Sequence, residues 1–365
     1  MCRVYNTIGC LNTIQLELVR NNIDDFSSIH ELIDFQKDLH VTEQKIITNH
    51  NKRIQDEKIF LEDEISESNT YLNQKINDLK NRLREKLNDL NQEIEDLPET
   101  NSKIIPTIKD YWMNLKIQIE FWYIQFKFPV NVFYLKHSNK KLISKNNKRF
   151  NYISANFQDA VNSSSFMDLQ KFESKKKIIT ALNNTIYGAI GEQKVETVLK
   201  KLSDDYILIN DFCYSFATPI KYNGDFIKSI QIDHLLISQA GIFIIETKNW
   251  SNRSFDNLEL RSPVQQILRT NYALFKLLDD SVQKHNWNFS RQHWGNRKIP
   301  IKNIIVFINN APKEQYQFIK ILRLGELISY IQYFNSNFTI NETESIANYL
   351  LNLSQHNEVI SKLSM

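Results

Sequence analysis

The segment QIDHLLISQAGIFIIETKNW, residues 231–250, decides the fold of this chain. It contains two runs of β-branched and bulky apolar residues, the composition expected of buried strands. Between the runs, Ser238-Gln239-Ala240-Gly241 supplies turn residues, including one of only seven glycines. The segment therefore predicts a β-hairpin in which the start of the first strand lies beside the end of the second.

The predicted hairpin brings three charged residues together. Asp233 lies near the start of the first strand, and Glu246 and Lys248 lie at the end of the second. Because side chains alternate along a strand, Glu246 and Lys248 share one face. Two carboxylates that close together repel each other, which is costly unless they have a function. We therefore treat this sheet edge as a candidate active site, with solvated strand ends as the alternative.

Asp233 followed by Glu246-Thr247-Lys248 resembles the signature of PD-(D/E)xK nucleases, in particular the nuclease-related domain known as NERD. The resemblance covers about residues 186–310. The motifs that carry it occur in the family's order: Gly191-Glu192, Ile232-Asp233-His234, Ile245-Glu246-Thr247-Lys248-Asn249, and Pro263 with Gln266. It implies an α/β restriction-endonuclease-like core, in which helices flank a mixed sheet.

The resemblance also implies a deoxyribonuclease that uses Mg²⁺ or Mn²⁺ to hydrolyse phosphodiester bonds. Magnesium prefers hard oxygen ligands and keeps several waters, so a few carboxylates suffice to hold it against a phosphate. Asp233 and Glu246 are the principal ligands implied, with the carbonyl group of Thr247 as a third. Glu192 completes the site directly or through a water molecule.

Two further residues have implied catalytic roles. Lys248 orients or deprotonates the attacking water and stabilises negative charge on the phosphate. Gln266 positions the DNA strand or a ligand water, although it follows a good N-cap and can be an ordinary first-turn residue. His234 alternates with Asp233 and is expected to pack or to support the site. Two rival functions stay open: a catalytically inactive nucleic-acid-binding protein, and a coiled-coil scaffold.

Composition limits the remaining possibilities. A chain of 365 residues suits two or three domains, and a net charge of +3 leaves nucleic-acid binding to local basic patches. The three cysteines have neither metal-ligand spacing nor an even number, which indicates a reducing cytoplasm. The first residues, MCRVYNTIGC, lack the pattern of a signal peptide.

Residues 28–97 contain neither proline nor glycine. Apolar residues recur there at steps of three, four or seven among mixed charges, and Ser28 with Glu31 forms a capping-box pattern. This pattern predicts a long helix that needs a partner, because a narrow apolar stripe is not stable alone in water. A homodimer through an N-terminal coiled coil is favoured over an antiparallel partner within the chain.

Residues 111–134 are strongly aromatic, and both strand and helix are compatible with them. Charged residues and Pro129 interrupt the segment, so no membrane span is expected. A basic segment follows, either as a polar loop or as an arm that contacts phosphates, and a second basic stretch occurs near residue 294. The candidate nucleic-acid-binding residues are Lys140, Lys141, Lys145, Lys148, Arg149, Arg291, Trp294 and Arg297.

These patterns predict four regions along the chain: a helical coiled-coil arm (1–100), an aromatic and basic connecting region (101–157), the nuclease-like domain (158–335) and a C-terminal helical segment (336–365). Within the domain, we expect a helix over 158–202, a strand over 206–212, the hairpin, a helix over 263–279 and a strand over 304–309. Two closing helices are expected near 324–334 and 342–353.

Overall fold

The computed structural model describes residues 1–96, 104–250, 261–285, 299–309, 311–312, 314–354 and 363. Within its helices, the side chains of residues 94, 104–107, 109–110, 139, 141–142, 261–262 and 280–285 lie outside the description. The contacts divide the chain into two compact units. The sheet unit comprises Met1–Leu39 and Ser174–Met365, and the helical unit comprises His40–Glu173.

A six-stranded mixed sheet forms the centre of the sheet unit, with its strands in chain order across the sheet. The strands are β1 (Arg3–Tyr5), β2 (Ile207–Tyr222), β3 (Asp225–Ser238), β4 (Gly241–Lys248), β5 (Ile301–Phe307) and β6 (Ile319–Arg323). The pairs β2–β3 and β3–β4 are antiparallel, while β1–β2, β4–β5 and β5–β6 are parallel. The mixed sheet with flanking helices confirms the predicted fold class.

The predicted hairpin is present as β3 and β4, closed by a turn at which Ser238 pairs with Gly241. Gly241 has a φ of +117°, in the region that favours glycine. A Cβ atom at this position would also lie 2.5 Å from the carbonyl oxygen of Pro300. Glycine is therefore required both for the turn and for the approach of the chain that leads into β5.

Helices cover both faces of the sheet. The described residues form the helices α1 (Gly9–Arg20), α2 (Ile29–Lys37), α3 (Leu39–Glu95), α4 (Ile104–Ala155), α5 (Phe157–Ala181), α6 (Asn183–Leu199), α7 (Arg261–His285), α8 (Leu327–Gln332) and α9 (Ile340–Leu353). On one face, α7 and α9 bury Leu274 and Leu350 against the sheet; on the other, α6 and α8 bury Val195 and Leu327. Alternating strand residues supply the two faces, as the pleat requires.

The helical unit contains α3 and α4, which run antiparallel. Arg149 contacts Glu57 and Asn146 contacts Glu64, whereas Leu83 lines a common cleft with residues 123–131. Increasing numbers on α3 thus correspond to decreasing numbers on α4. The apolar residues of α3 pack against α4 within one chain, which is the second of the two partners expected for this helix.

Several boundaries differ from those predicted. The long N-terminal helix is divided at Asp38, with Ser28 accepting a hydrogen bond from the amide of Glu31 at the start of α2. The helix predicted over 158–202 is divided between α5 and α6, and the predicted strand 206–212 continues to Tyr222.

The aromatic and basic segments, whose conformation the sequence left open, both belong to α4, so the loop interpretation of the basic segment is wrong. Among the described residues, no helix combines the length and apolar character needed to cross a membrane.

Candidate active site

The hairpin places Asp233 beside the end of β4. His234 pairs with Ile245 in the antiparallel β3–β4 ladder, so Asp233, the residue before His234, lies beside Glu246. The backbone amide of Thr247 donates a hydrogen bond of 2.8 Å to Oδ2 of Asp233. Withdrawal from water raises the pKa of Asp233 well above its usual range, and the charges of Glu246 and Glu192 raise it further. Three carboxylates therefore act on one another at this sheet edge.

Lys248 neutralises part of this negative charge. Its Nζ atom lies 2.7 Å from Oε1 of Glu246, and both side chains are largely buried. Burial lowers the pKa of Lys248, but the charge of Glu246, the hydrogen bond to it and the charge of Asp233 outweigh that effect and leave the pKa raised. The ammonium group is therefore charged at neutral pH. In this form it can stabilise an anion, but it cannot accept a proton.

Glu192 reaches the site from α6, because α6 approaches β4 closely at Gly191. A Cβ atom on Gly191 would lie 2.9 Å from Cβ of Asn249 and 3.2 Å from Cγ2 of Thr247. The Glu192 side chain is 5% exposed. Burial raises its pKa to about 7, the hydrogen bonds with Cys10 oppose this, and the charges of Asp211 and Glu246 add to it. In the Gly-Glu pair, Gly191 is thus needed because a larger residue would clash with β4, and this close approach buries Glu192 and raises its pKa.

The N-terminal helix supplies a partner for Glu192. The backbone amide of Cys10, in the first turn of α1, donates a hydrogen bond of 3.1 Å to Oε2 of Glu192. The positive end of the helix dipole lies at this turn, which favours the charged carboxylate. The close approach again depends on glycine, since a Cβ atom on Gly188 would lie 2.8 Å from the Cys10 sulfur.

Asp211 is a fourth carboxylate that the sequence analysis missed. The β2–β3 register pairs Asn210 with His234 and Phe212 with Ile232, so Asp211 lies across from Asp233. Its φ of 47° is uncommon for a residue other than glycine, and it interrupts the regular ladder. Oδ1 of Asp211 accepts a hydrogen bond from the Gln231 side chain. An isolated acid within a predicted apolar strand was the available signal.

His234 lies behind the site in a buried polar network. Its Nδ1 atom is 2.7 Å from Oδ1 of Asn210, and the Asn210 amide group donates to Glu196. Burial lowers the pKa of His234 to about 3, and its buried Nε2 atom has no hydrogen-bond partner among the described residues. The neutral imidazole therefore supports the strand and does not take part in proton transfer near neutral pH.

The donor set fits a hard divalent cation. Carboxylate oxygens and a backbone carbonyl group are the ligands that Mg²⁺ prefers, and it is commonly held by one or two carboxylates with several waters. Within the described ranges, no three His, Cys, Asp or Glu side chains form a ready-made metal cluster. Burial, with the charges of neighbouring carboxylates added to it, raises the pKa values of Asp233 and Glu192, and a bound cation would favour the charged form of both groups.

The remaining candidates are placed unequally. Thr247 is buried on β4 between Glu246 and Lys248, so only its backbone groups face Asp233 and the strand neighbours. Gln266 is exposed near the start of α7, and we find no hydrogen bond between it and the acidic residues in the described part of the chain. The role of Gln266 stays a prediction.

The candidate nucleic-acid-binding residues fall into three groups. Lys140, Lys145 and Lys148 are exposed on α4, where the backbone of Lys141 lies as well. Arg149 makes two hydrogen bonds to Glu57, of 2.8 and 2.9 Å, within the helical unit. Outside the described residues lie Arg291, Trp294 and Arg297.

Part of the chain matches a known protein family. The family model of the nuclease-related domain, NERD, matches residues 187–308. This span includes Glu192, Asp233, Glu246 and Lys248, and it confirms the resemblance inferred from the sequence. Neither the curated proteins nor the solved structures contain a significant match to the chain.

Proposed function

We propose that the nuclease-related domain of this chain is a metal-dependent deoxyribonuclease that hydrolyses phosphodiester bonds. The observation that carries this proposal is the meeting of Asp233, Glu246, Glu192 and the charged Lys248 at one end of the hairpin. Burial, with the charges of neighbouring carboxylates added to it, raises the pKa values of Asp233 and Glu192, and perturbed carboxylates of this kind cluster at functional sites. The family match at residues 187–308 supports the same class of reaction.

The residues have distinct roles in this proposal. Asp233, Glu246 and the Thr247 carbonyl group would hold Mg²⁺ or Mn²⁺, and Glu192 would complete the site directly or through a water. When bound, the cation supplies an activated water and neutralises charge on the phosphate. Lys248, held beside Glu246, orients the phosphate and stabilises the negative charge that develops on it.

Cleavage assays test the proposal directly. Linear, circular and single-stranded DNA, with RNA beside them, are incubated with the purified chain in Mg²⁺, in Mn²⁺ and in chelator. We expect cleavage that requires the cation and that Glu246→Gln abolishes, while Asp225→Asn, at the opposite end of β3, leaves it intact. DNA binding without cleavage in any cation would overturn the proposal and favour the nucleic-acid-binding alternative.

We further propose that DNA contacts the exposed lysines of α4. Replacing Lys140 and Lys145 by Gln should lower the slope of log affinity against log salt by about 2, because each phosphate contact contributes about 0.9. The matched control replaces Lys75 and Lys80, which are exposed on α3. Equal slopes for both double variants would leave the α4 lysines as solvated charges.

Cytoplasmic location is part of the same proposal. Cys2, Cys10 and Cys213 are all free, which is the usual state in a reducing compartment. Biological roles in defence or in DNA processing stay predictions.

A further inference from the structure

Helix α4 carries two apolar seams on opposite faces. The inner seam contains Ile117, which is 6% exposed, and the half-buried Phe121, Ile124 and Phe128, of which Ile124 and Phe128 line the cleft shared with α3. The outer seam consists of Trp112, Leu115, Ile119, Trp122, Phe126, Val130 and Phe133. At 100° per residue, the two sets point in opposite directions from the helix axis. Only one of them has a partner in the described part of the chain.

The outer seam is exposed along its whole length. Apart from Leu115, which is half-buried, its side chains are between 52% and 75% exposed. They extend over about 33 Å of helix, and they present on the order of 800 Å² of apolar surface, taking about 200 Å² for each large side chain. Monomeric proteins rarely expose continuous apolar patches above about 600 Å².

The spacing identifies the kind of surface that covers this seam. The steps between its members are three or four residues throughout, which is the period of a coiled-coil interface. Each partner in a standard protein interface contributes about 800 Å², which the seam can supply. A helix lying on a membrane usually has Lys and Arg beside its apolar face, whereas this seam has the acidic Glu120 between Lys116 and Lys127 on its flank.

On one flank of the outer seam, Lys116, Glu120 and Lys127 follow one another, and Lys127 also lines the cleft with α3 and donates a hydrogen bond of 3.3 Å to the Tyr123 hydroxyl group. Glu120 and Lys127 have opposite charges and can pair between two copies. About a twofold axis on the outer side of α4, at the level of Ile124 along the helix, Trp122 and Phe126 are equidistant, and Glu120 and Lys127 are very nearly so. In an antiparallel pair of helices, the same flank of both copies meets across the interface, so Glu120 approaches the partner's Lys127 and the reverse contact forms by symmetry. The aromatic residues of the seam meet one another in this register.

We propose that the outer seam of α4 binds the outer seam of a second copy, as an antiparallel pair. The sequence predicted a homodimer through residues 1–100, and a dimer is not shown by the single chain. The apolar residues of α3 that suggested it pack against α4 instead. The proposed dimer therefore forms through α4 and not through α3, and the proposal does not depend on nuclease activity.

The first test measures mass. We expect the full chain at micromolar concentration to scatter light as a dimer. Trp122→Glu with Phe126→Glu should raise the dissociation constant at least about a hundredfold, because central aromatic residues dominate such interfaces. The control replaces Phe60 and Tyr71 of α3 by Glu, since they are 62% and 54% exposed and lie outside the seam. Circular dichroism checks that all variants keep their helices.

The second test measures register. Glu120→Lys should weaken dimerisation about fivefold, through like charges at the interface rim, and adding Lys127→Glu should restore the parent value. Restoration supports the antiparallel pair, and its failure overturns this register.

Three results would overturn the dimer itself. They are a monomeric parent chain, a seam variant that stays dimeric, and a monomer that binds vesicles of anionic lipid through Trp122 and Phe126. The last result would assign the seam to a membrane surface.

Discussion

The acidic site of the sheet unit and the outer seam of α4 both carry a free-energy cost in the single chain, but the costs differ in kind. At the site, the cost comes from the burial and mutual repulsion of a few carboxylates around Asp233, and both effects raise the pKa of Asp233. On α4, the cost comes from exposed apolar surface spread between Trp112 and Phe133.

The difference shows which partner relieves each cost. A single small cation can neutralise crowded carboxylates, because Coulomb interactions act over several ångströms. An extended apolar stripe needs a surface of similar length, because the hydrophobic effect scales with the area removed from water. The sheet unit is therefore expected to respond to metal ions, and the helical unit to protein concentration.

The largest expected effect concerns the acidic site. Asp233→Ala, Glu246→Ala and Lys248→Ala should each lower single-turnover DNA cleavage by at least about a thousandfold, and the triple variant should lose little more, because the three act as one unit. Asp225→Ala serves as the control, because Asp225 lies at the start of β3, where this strand pairs with Tyr222 of β2. Losses that multiply from variant to variant would indicate independent roles and contradict the proposed site.

The second effect is a pH dependence of stability. Glu192 has a pKa of about 7 in the folded chain against 4.5 as its ordinary value. The folded state then holds a proton that the unfolded state has lost, so the free energy of unfolding of the metal-free protein should fall as pH rises from about 4.5 to about 7. The decrease is up to about 3 kcal/mol.

Urea unfolding across this pH range measures the effect. Glu192→Gln keeps an oxygen for the Cys10 amide but cannot ionise, so its profile should be flatter and its stability above pH 7 higher than that of the parent. Saturating Mg²⁺ should stabilise the parent above pH 7 by about 2.7 kcal/mol at a hundredfold excess over its dissociation constant. Parallel profiles for parent and variant would assign the pH dependence to other groups.

The third effect separates the close packing of α6 from its charge. Gly191→Ala should destabilise the sheet unit by about 1–3 kcal/mol, because the added Cβ atom meets Asn249 and Thr247 on β4. Gly325→Ala is the matched control, since no atom lies within 4 Å of its Cβ position. Thermal midpoints measured on both variants compare the two positions. Equal changes in the thermal midpoints of the two variants would mean that α6 can shift away from β4 without a loss of stability.

The smallest effect belongs to the helical unit. A double-mutant cycle on Glu57 and Arg149 should give a coupling free energy of at most about 1 kcal/mol, although the pair makes two hydrogen bonds. Both side chains are about one-third or more exposed, so water screens their attraction. A coupling of several kcal/mol would show that ion pairs, and not the inner seam of α4, hold this unit together.

The hairpin could be predicted because all its signals are local. Two apolar runs, a turn with Gly241, and the residues Asp233, Glu246 and Lys248 all lie within twenty residues. Asp211 could not be recognised in the same way, because its position across from Asp233 depends on the β2–β3 register. β1 gave no usable signal, since three residues carry too little periodicity.

The conformation of α4 could not be decided from periodicity for a physical reason. Its inner and outer seams both contain apolar residues, so no single helical face stands out and segments such as residues 116–121 even alternate like a strand. Only the contacts with α3 separate one seam from the other. The cause of the ambiguity is therefore also the basis for the proposed dimer.

The pairing of β1 with β2 has a consequence for synthesis. Arg3 pairs with Ile207, and the helical unit lies between them in the chain. At about 5–20 residues per second, a ribosome needs at least about ten seconds to reach Ile207 after Arg3. Helices α3 and α4 can pair during that interval, whereas β1 and the Cys10 amide must wait for β2 and Glu192. Pulsed hydrogen exchange on stalled nascent chains should therefore find α3 protected before β1. The segment that is synthesised first is then among the last to fold.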